Sequence, residues 1–593
     1  MFLPHPHAWR FAFGLLVPGG GFMGEPVLLP LAGITLTVFC AAIVIWFATG
    51  NIVLPPLVWL GSALAVFLLP THAAAPPLLF IQILGFGGPV LALTYAFWRV
   101  SRPKLHPLAT APISTSLMRP TAAATEDIQP KDHELSPEAL RAMRLLLDRA
   151  LQPIADFDGF EWRDQFQTAA IRYQLNFTAY ALALAQSVHI PAATAYLATA
   201  QQNLLAKQGD PRVWHYWQYE HAWGYLARDE GPIARDNIMY SGFIATQMMC
   251  ARRTNDHDSN VAPLILRCRN AREKTANPVY QYTLDQLVDT LASQYKSAPL
   301  GLLACEPHWV YPLCNLITAT ALKGYEIQTG KAAWSPLRDR FFHSLDTEFT
   351  TRSGQFVPFR SSLTGLAPPQ IGGAVMQAFP CFFLNALDRG LAQRKWSALK
   401  HCLKGGDWSR VLWPVDVGNY GFSRASSYAA TALAAREVGD DETATQLLEL
   451  FDATYQRCDV DGVSHHENAS LWAHAVRFAA LVGKADMLHR LVNVPLAEDA
   501  TGPHLAHAPY PDVLIAQALS GGKSSAFDLR LVLYPDGEAA RFPLTFGGLV
   551  PFARYWIKNN QYSDEEMGAD HKGALNITVP LSGRTVILLK RLT

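Results

Sequence analysis

Before Arg99 the only charged side chains are Arg10 and Glu25, and this depletion constrains the fold more than any other feature of the chain. A stretch with so little to offer water is either buried whole or placed in lipid, where backbone polar groups must be satisfied internally. Leu31 to Thr49, LAGITLTVFCAAIVIWFAT, is long and apolar enough to cross a bilayer at roughly 20 residues per crossing. Ile52 to Leu69 follows a short Gly50-Asn51 turn, and Pro77 to Trp98 is a third apolar run. Phe11 to Met23 is apolar but Gly-rich and broken by Pro18, which suits an interfacial segment. Three uncharged runs in succession argue against a buried soluble hairpin, and they continue beyond the length of a cleavable signal peptide. Arg99, Arg102 and Lys104 follow the third run, against Arg10 alone at the other end. Basic residues favour the cytoplasmic side. The expectation is a multi-pass anchor over residues 1–102, with spans 31–49, 52–69 and 77–98, in the inner (cytoplasmic) membrane. The rest of the chain would then face the cytoplasm.

Beyond the anchor the composition is that of a soluble protein, and 593 residues predict two or more domains. A net charge of zero gives no argument for nucleic acid as a partner, and none is expected. Eight cysteines without a C-x-x-C or a dense framework do not make a disulfide scaffold, and no spaced Cys/His set points to zinc. Residues 103–135, rich in Pro, Ala, Ser and Thr, read as a linker. A helix start follows, with Ser136 able to cap, Pro137 suited to the first position and Glu138 favoured by the dipole. Helical segments are predicted over 164–187, 191–207, 236–253, 281–296, 312–329, 334–349, 372–388, 424–438, 441–456 and 467–482. Their pairing into hairpins fits a helical toroid or an open solenoid, and no repeat in the sequence separates the two. This body spans 136–495. Over 496–593 the period changes to alternating and β-branched runs between Gly-rich turns, predicting a small β module without a catalytic signature of its own.

Unusual side chains gather in four places. Leu300 to Asn315, LGLLACEPHWVYPLCN, sets Cys305 and Cys314 around Glu306, His308, Trp309 and two prolines. Pro307 and Pro312 interrupt any continuous helix, so Cys305 falls on a loop and Cys314 near a helix start, where the dipole can lower a thiol pKa. Asp148, Asp156 and Asp158 precede Phe160 and Trp162, with Asp148 on a helix face otherwise made of Leu. Tyr173 and Asn176 share a face of an apolar helix. Asp236 can cap a helix from Asn237 that carries Met239, Tyr240 and Phe243, after an aromatic stretch, WHYWQYEHAW, read as a loop able to line an apolar cavity. Buried Cys, Tyr and Met packing, and solvated or capping Asp, are the plain alternatives at each place.

The order and spacing of these blocks resemble the linalool dehydratase/isomerase family. That family carries C-E-P with Cys-Asn nine residues after its Cys, as in Cys305-Glu306-Pro307 and Cys314-Asn315. Upstream, Asp236-Asn237-Ile238-Met239-Tyr240-Ser241-Gly242 matches its D/E-N-I-M-Y-x-G block, and Phe160-Glu161-Trp162 with Ile171-Arg172-Tyr173 matches an aromatic–Tyr block. A looser block, GFSRASSYAATALAAREVGD, resembles a later helix, and the whole covers about residues 140–490. The resemblance implies a mainly α fold, an (α/α) barrel. It also implies an enzyme that moves or removes the hydroxyl of tertiary and primary allylic terpene alcohols without cofactor, metal or nucleotide. By position it assigns Asp148 to the substrate hydroxyl, Tyr173 to the pocket, Met239 to the reacting carbons, and Cys305 and Cys314 to the reaction. Tyr240, Phe243, His308 and Trp309 are the further expected substrate contacts. The chain departs from the family where a histidine is replaced by Phe243 and a pocket tyrosine by Ala374 or a neighbour. A Tyr and a Cys after the aspartate also lack counterparts, with Asp156 and Asp158 there instead. The N-terminal spans resemble the membrane-anchored linalool isomerases of the family.

The reading that follows is a membrane-anchored isomerase interconverting linalool and geraniol, with an apolar allylic alcohol and the bilayer as partners and room for a homo-oligomer. Asp148 with Tyr173 would supply or orient the acid, and Cys305 and Cys314 would serve as base or transient nucleophile. Three other readings compete. A dehydratase would form myrcene or a related diene. A carbohydrate-active toroid would need two carboxylates such as Glu306 and Asp416 across a polar cleft. A membrane scaffold would be indifferent to loss of either cysteine.

Overall fold

The structure is a computed structural model that describes residues 8–49, 54–69, 133–164, 167–168, 170–227, 231–255, 261–267, 279–363, 365, 367, 373–402, 423–494, 502–521, 525–560 and 562–592. The third expected span, the basic cluster at 99–104, most of the expected linker and Asp416 lie outside them.

At the N-terminal end, Leu29–Thr49 forms one helix of 21 residues. An 18-residue stretch that runs into it, Pro26–Ile43, has a mean hydropathy of 2.1 and is long enough to cross a membrane. Leu31, Ile34, Leu36 and Val38 expose their side chains along it. The second expected crossing is not supported. Its helix, Leu54–Leu68, is 15 residues long, short of the roughly 20 that a bilayer core requires. Instead it packs against Leu29–Thr49 and against a further helix, Ala8–Leu16, in the segment expected to be interfacial. Trp59 Nε1 donates to the Gly14 carbonyl at 2.9 Å. Arg10, fully buried here, pairs with Glu25 at 3.6 Å, so the two charges of this apolar region compensate each other.

The main body begins as the sequence predicts: Ser136 Oγ accepts from Ala139 N at 3.1 Å and Pro137 opens the helix Pro137–Leu151. Six strongly buried helices follow, Ile171–His189, Ile238–Asn255, Pro312–Thr329, Phe379–Leu387, Ala425–Val438 and Leu471–Val482. Each packs on the next, and Leu471–Val482 returns to Ile171–His189, so the order of contacts closes on itself. Less fully buried helices lie outside, among them Ala195–Gln208, Leu284–Ser297, Arg389–Cys402 and Asp441–Thr454. Small residues let the inner helices approach closely. A Cβ on Gly242 would fall 2.0 Å from Thr318 Oγ1, and Thr246 Oγ1 donates across the same seam to the Ile317 carbonyl at 2.9 Å. Two expectations fail locally. The stretch WHYWQYEHAW is not a loop, since Tyr216–Tyr225 is a helix, with Trp217, Glu220 and His221 buried by tertiary packing that overrides modest helix propensity. Asp236 does not cap the next helix, because its carboxylate takes the Tyr225 hydroxyl instead.

The C-terminal strands form an antiparallel five-stranded sheet, ordered Val513–Ser520, Leu529–Pro535, Thr585–Arg591, Arg554–Asn559 and Tyr562–Gly568. A three-stranded sheet of Leu575–Leu581, Ala540–Gly547 and His504–His507 accompanies it. Backbone bonds tie the module to the helices, as Ala192 N donates to the Ala518 carbonyl at 3.0 Å and Leu135 N to the Ala516 carbonyl at 2.9 Å.

Candidate active site

The loop carrying Cys305 is fixed by one side chain of the helix that follows it. Asn315, fully buried, accepts at Oδ1 from Leu303 N (2.8 Å) and from the Tyr295 hydroxyl (2.9 Å). Its Nδ2 donates to the Leu303 carbonyl (2.9 Å) and the Tyr311 carbonyl (2.8 Å). The asparagine after Cys314 is therefore the clamp that sets the position of the Cys305–Glu306 segment. Within that segment Cys305 N donates to the Trp309 carbonyl at 2.8 Å and Trp309 N to the Glu306 carbonyl at 2.9 Å. His308, at φ 68, takes the left-handed corner of this tight turn. Pro307 seats against Gly224, where a Cβ would lie 2.1 Å from the proline Cβ; only glycine permits that approach. Ile238 N reaches the Ala304 carbonyl at 3.4 Å, joining the start of the Met239 helix to the same loop.

Around this loop the structure gathers a buried polar cluster. Arg172 is 2% exposed, donates to the Tyr173 hydroxyl at 2.9 Å and reaches Met239 Sδ at 3.3 Å. The Tyr173 hydroxyl donates to the same sulfur at 3.0 Å. The guanidinium also stands over the Tyr216 ring, 4.0 Å from its centroid. Tyr216 is held by Asn237 Oδ1 at 2.7 Å. Two carboxyls face this cation, Glu220 (3% exposed) and Glu306 (9% exposed), and each has an Oε2 with no hydrogen-bond partner.

Electrostatics follow from this crowding. Burial pushes the Glu306 carboxyl up to about 7, with Arg172 and the Tyr311 hydroxyl holding it down. Burial, and then the neighbouring Glu306, raises Glu220 well above the usual carboxylate range, against the pull of Arg172. Burial opposes the charge of Arg172, yet the surrounding Tyr173, Tyr216, Glu220 and Glu306 keep its pKa above the ordinary value. Burial and then Cys314 push the Cys305 thiol well up, so it is held as a neutral thiol. Tyr173 and Tyr311 are raised by the same desolvation.

Glu306 looks into a small cavity lined by Trp46, Trp309, Tyr311 and Phe359 besides itself, with ≈ 10 Å³ open to the centre of a water-sized sphere. Trp309 stacks edge-on against Phe359 at 5.3 Å, and Tyr311 lies on the same ring at 5.2 Å. On the other side of Tyr173 an aromatic series continues inward through Phe243 (5.9 Å), Phe177, Phe379 and Trp472.

Of the side chains singled out in the sequence, Tyr173, Met239, Phe243, Cys305, Cys314 and Trp309 come together here. Asp148 does not join them within the chain. The Leu145–Leu147 face of its helix turns into the core, and Asp148 faces the β module, bound by the Tyr510 hydroxyl and near Arg144 at 3.9 Å. Tyr240 points away and donates to the Gln208 carbonyl at 2.7 Å. His308 lies at the rim, 4.7 Å from the Tyr225 ring, its pKa lowered by burial. Asp156 contributes its backbone carbonyl to Lys207, and Ala374 begins the short helix Ala374–Gln377. Sequence reasoning missed Arg172, Tyr216, Glu220, Tyr311 and Trp46 as parts of the site. A lone arginine on an apolar helix and a lone glutamate among aromatics were the available signals. Among the described residues no group of three or more His, Cys, Asp or Glu side chains is placed to hold a metal ion.

A profile of the linalool dehydratase/isomerase family matches residues 172–472, the segment that holds all of this cluster except Trp46. The chain belongs to that family. An enzyme of the isomerase or lyase type, acting as linalool dehydratase/isomerases do in general, follows from membership. Asp148 and the Phe160-Glu161-Trp162 block lie outside the matched segment. No curated protein matches the chain. Among solved structures, an unsaturated glucuronyl hydrolase specific for heparin is similar at 12% identity, covering 60% of this chain and 96% of its own, with a TM-score of 0.36. An unsaturated glucuronyl hydrolase from Streptococcus agalactiae is similar at 12% identity, 61% and 96% coverage and a TM-score of 0.34. Scores at this level carry no argument about function.

Proposed function

We propose that this family member is a membrane-anchored isomerase that interconverts linalool and geraniol by acid-assisted 1,3-migration of the hydroxyl, in an (α/α) barrel formed by the closed order of buried helices. The observation that carries the reading is Glu306, a buried carboxyl with an unpartnered oxygen, held near neutrality beside Arg172 and facing an aromatic-lined cavity. Protonated Glu306 gives its proton to the tertiary hydroxyl, the C–O bond breaks, and water leaves behind a delocalised allyl cation. Aromatic walls shelter that cation from stray solvent. Water then adds at the far carbon and returns a proton to the Glu306 carboxylate, so the acid is regenerated and the proton count closes. Neutral Cys305 with Cys314, and the sulfur of Met239, give the chamber a soft, polarisable lining, while Tyr173 and Arg172 orient it. Asp148 remains the candidate assigned by family position alone.

The test is gas-chromatographic analysis of washed membranes offered linalool and geraniol separately. Interconversion of the two supports the isomerase. A diene accumulating without geraniol would replace it with the dehydratase, and no conversion of either alcohol would end both readings.

A further inference from the structure

The cavity beside Glu306 is closed by a residue from outside the family-matched segment. Trp46 belongs to the apolar helix Leu29–Thr49, and its ring lies 5.0 Å from that of Trp309. The remaining walls are fixed from within the body. Trp309 sits in the backbone-bonded turn, Tyr311 is tied through its carbonyl to Asn315, and Phe359 packs on both rings. As it stands, ≈ 10 Å³ accommodates about one water molecule, whereas pockets for small organic ligands hold roughly 300–1,000 Å³. A substrate-bound chamber therefore requires a wall to move. Trp46 stands on a helix whose own core is a separate small cluster of Phe22, Ala32 and Val66, and which meets the body at Tyr216–Tyr225. The same helix exposes Leu31, Ile34, Leu36 and Val38, a face suited to acyl chains. Trp46 lies near the C-terminal end of that helix, and tryptophans favour the membrane–water interface. A small apolar alcohol, with one polar end, concentrates at that same level.

We propose that Trp46 is a specificity-determining wall of the reaction chamber, and that the alcohol passes it from the lipid interface rather than from bulk water. This rests on the function proposed above for the identity of the alcohol, but not for the existence of the gate. Opening the wall relieves a limit on chain length. Two variants of the full chain in phosphatidylcholine vesicles test it, Trp46→Ala and Trp46→Phe. Trp46→Ala is expected to raise the kcat/KM ratio for a fifteen-carbon over a ten-carbon allylic alcohol about tenfold or more, the scale on which pockets discriminate by apolar bulk. Trp46→Phe keeps the wild-type preference within about threefold, which separates a lost wall from a lost fold.

A second readout needs no turnover. Cys314 neighbours Tyr311 and Cys305, and its alkylation by N-ethylmaleimide, followed by mass spectrometry, should be faster in Trp46→Ala than in wild type. A membrane-impermeant charged maleimide should gain far less. If wild type converts the alcohols while Trp46→Ala changes neither the size ratio nor the alkylation rate, the gate is overturned. Faster alkylation in a wild-type background that converts no alcohol would keep the gate and remove the proposed substrate. Equal acceleration for the charged reagent would overturn the lipid-side route.

Discussion

Two glutamates in this protein are both hidden from solvent and serve opposite ends. Glu437 is fully buried and has every acceptor answered: Oε1 receives Asn385 Nδ2 at 2.8 Å and His489 N at 2.9 Å, and Oε2 receives Leu488 N at 2.8 Å. Glu306 is nearly as buried, but its Oε2 has no partner and opens on a cavity. Burial raises both, Glu437 to about 8 and Glu306 to about 7. A shifted pKa therefore does not separate scaffold from site; the distinction is whether the group's hydrogen-bonding capacity is already used. Glu437 stitches Ala425–Val438 to Met487–Asn493, whereas Glu306 is left available to a ligand.

The largest expected contrast comes from removing the acid. Glu306→Gln should lower kcat for allylic alcohol conversion by about 10²–10⁴-fold, the usual contribution of a positioned acid. Thermal stability above about pH 7 should be unchanged or slightly raised, since burial disfavours the charged carboxyl that the amide replaces. A kcat within threefold of wild type would assign the acid elsewhere and return Asp148 to first place. Asn315→Ala should come next, removing the clamp and leaving Leu303 N, Leu303 O and the Tyr295 hydroxyl without their present partner. At about 1–3 kcal/mol per unsatisfied group, a stability loss of several kcal/mol is expected, read by thermal melting. Activity should fall with it, because the Cys305–Glu306 turn loses its anchor.

Glu437→Gln gives the mirror image at smaller scale. An amide can accept with one oxygen only, so one of the donors from Leu488, His489 or Asn385 meets an NH₂ group instead. A loss of about 1–3 kcal/mol in stability with kcat retained is expected. Loss of activity in the folded variant would mean that the helix pair it joins moves during turnover.

Much of this arrangement was legible in the sequence for physical reasons. Cys305, Cys314, Tyr173 and Met239 come together because the helices that carry them obey local rules, a proline at the first turn and small residues on buried faces. Most helical segments fell within a few residues of their predicted spans for the same reason. Arg172 and Glu220 were illegible as partners, because their pairing depends on packing between helices distant in sequence and no periodicity encodes it. The aromatic stretch containing Glu220 carries low helix propensity, so its helix exists only through tertiary contacts. Asp148 illustrates the converse. A carboxylate on a leucine-rich helix looks like a buried acid in one dimension, and only the docking of Tyr510 from the β module reveals which way it faces.

The smallest effect sharpens the comparison through pH. A carboxyl whose folded pKa is raised contributes stability that is complete below its ordinary value, 4.5, and is lost as pH rises through the folded value. For Glu306 that loss runs from about 4.5 to about 7 and for Glu437 from about 4.5 to about 8. The stability difference between wild type and Glu437→Gln should therefore shrink as pH rises from 5 and level off above about 8. For Glu306→Gln the corresponding change should level off above about 7. Activity obeys only one of the two groups. If the protonated form of Glu306 is the acid, kcat is level below about 7 and falls about tenfold per pH unit above it, and Glu437→Gln leaves that profile in place. A profile that moved with Glu437 instead would show that the satisfied glutamate, and not the unsatisfied one, governs the proton used in catalysis.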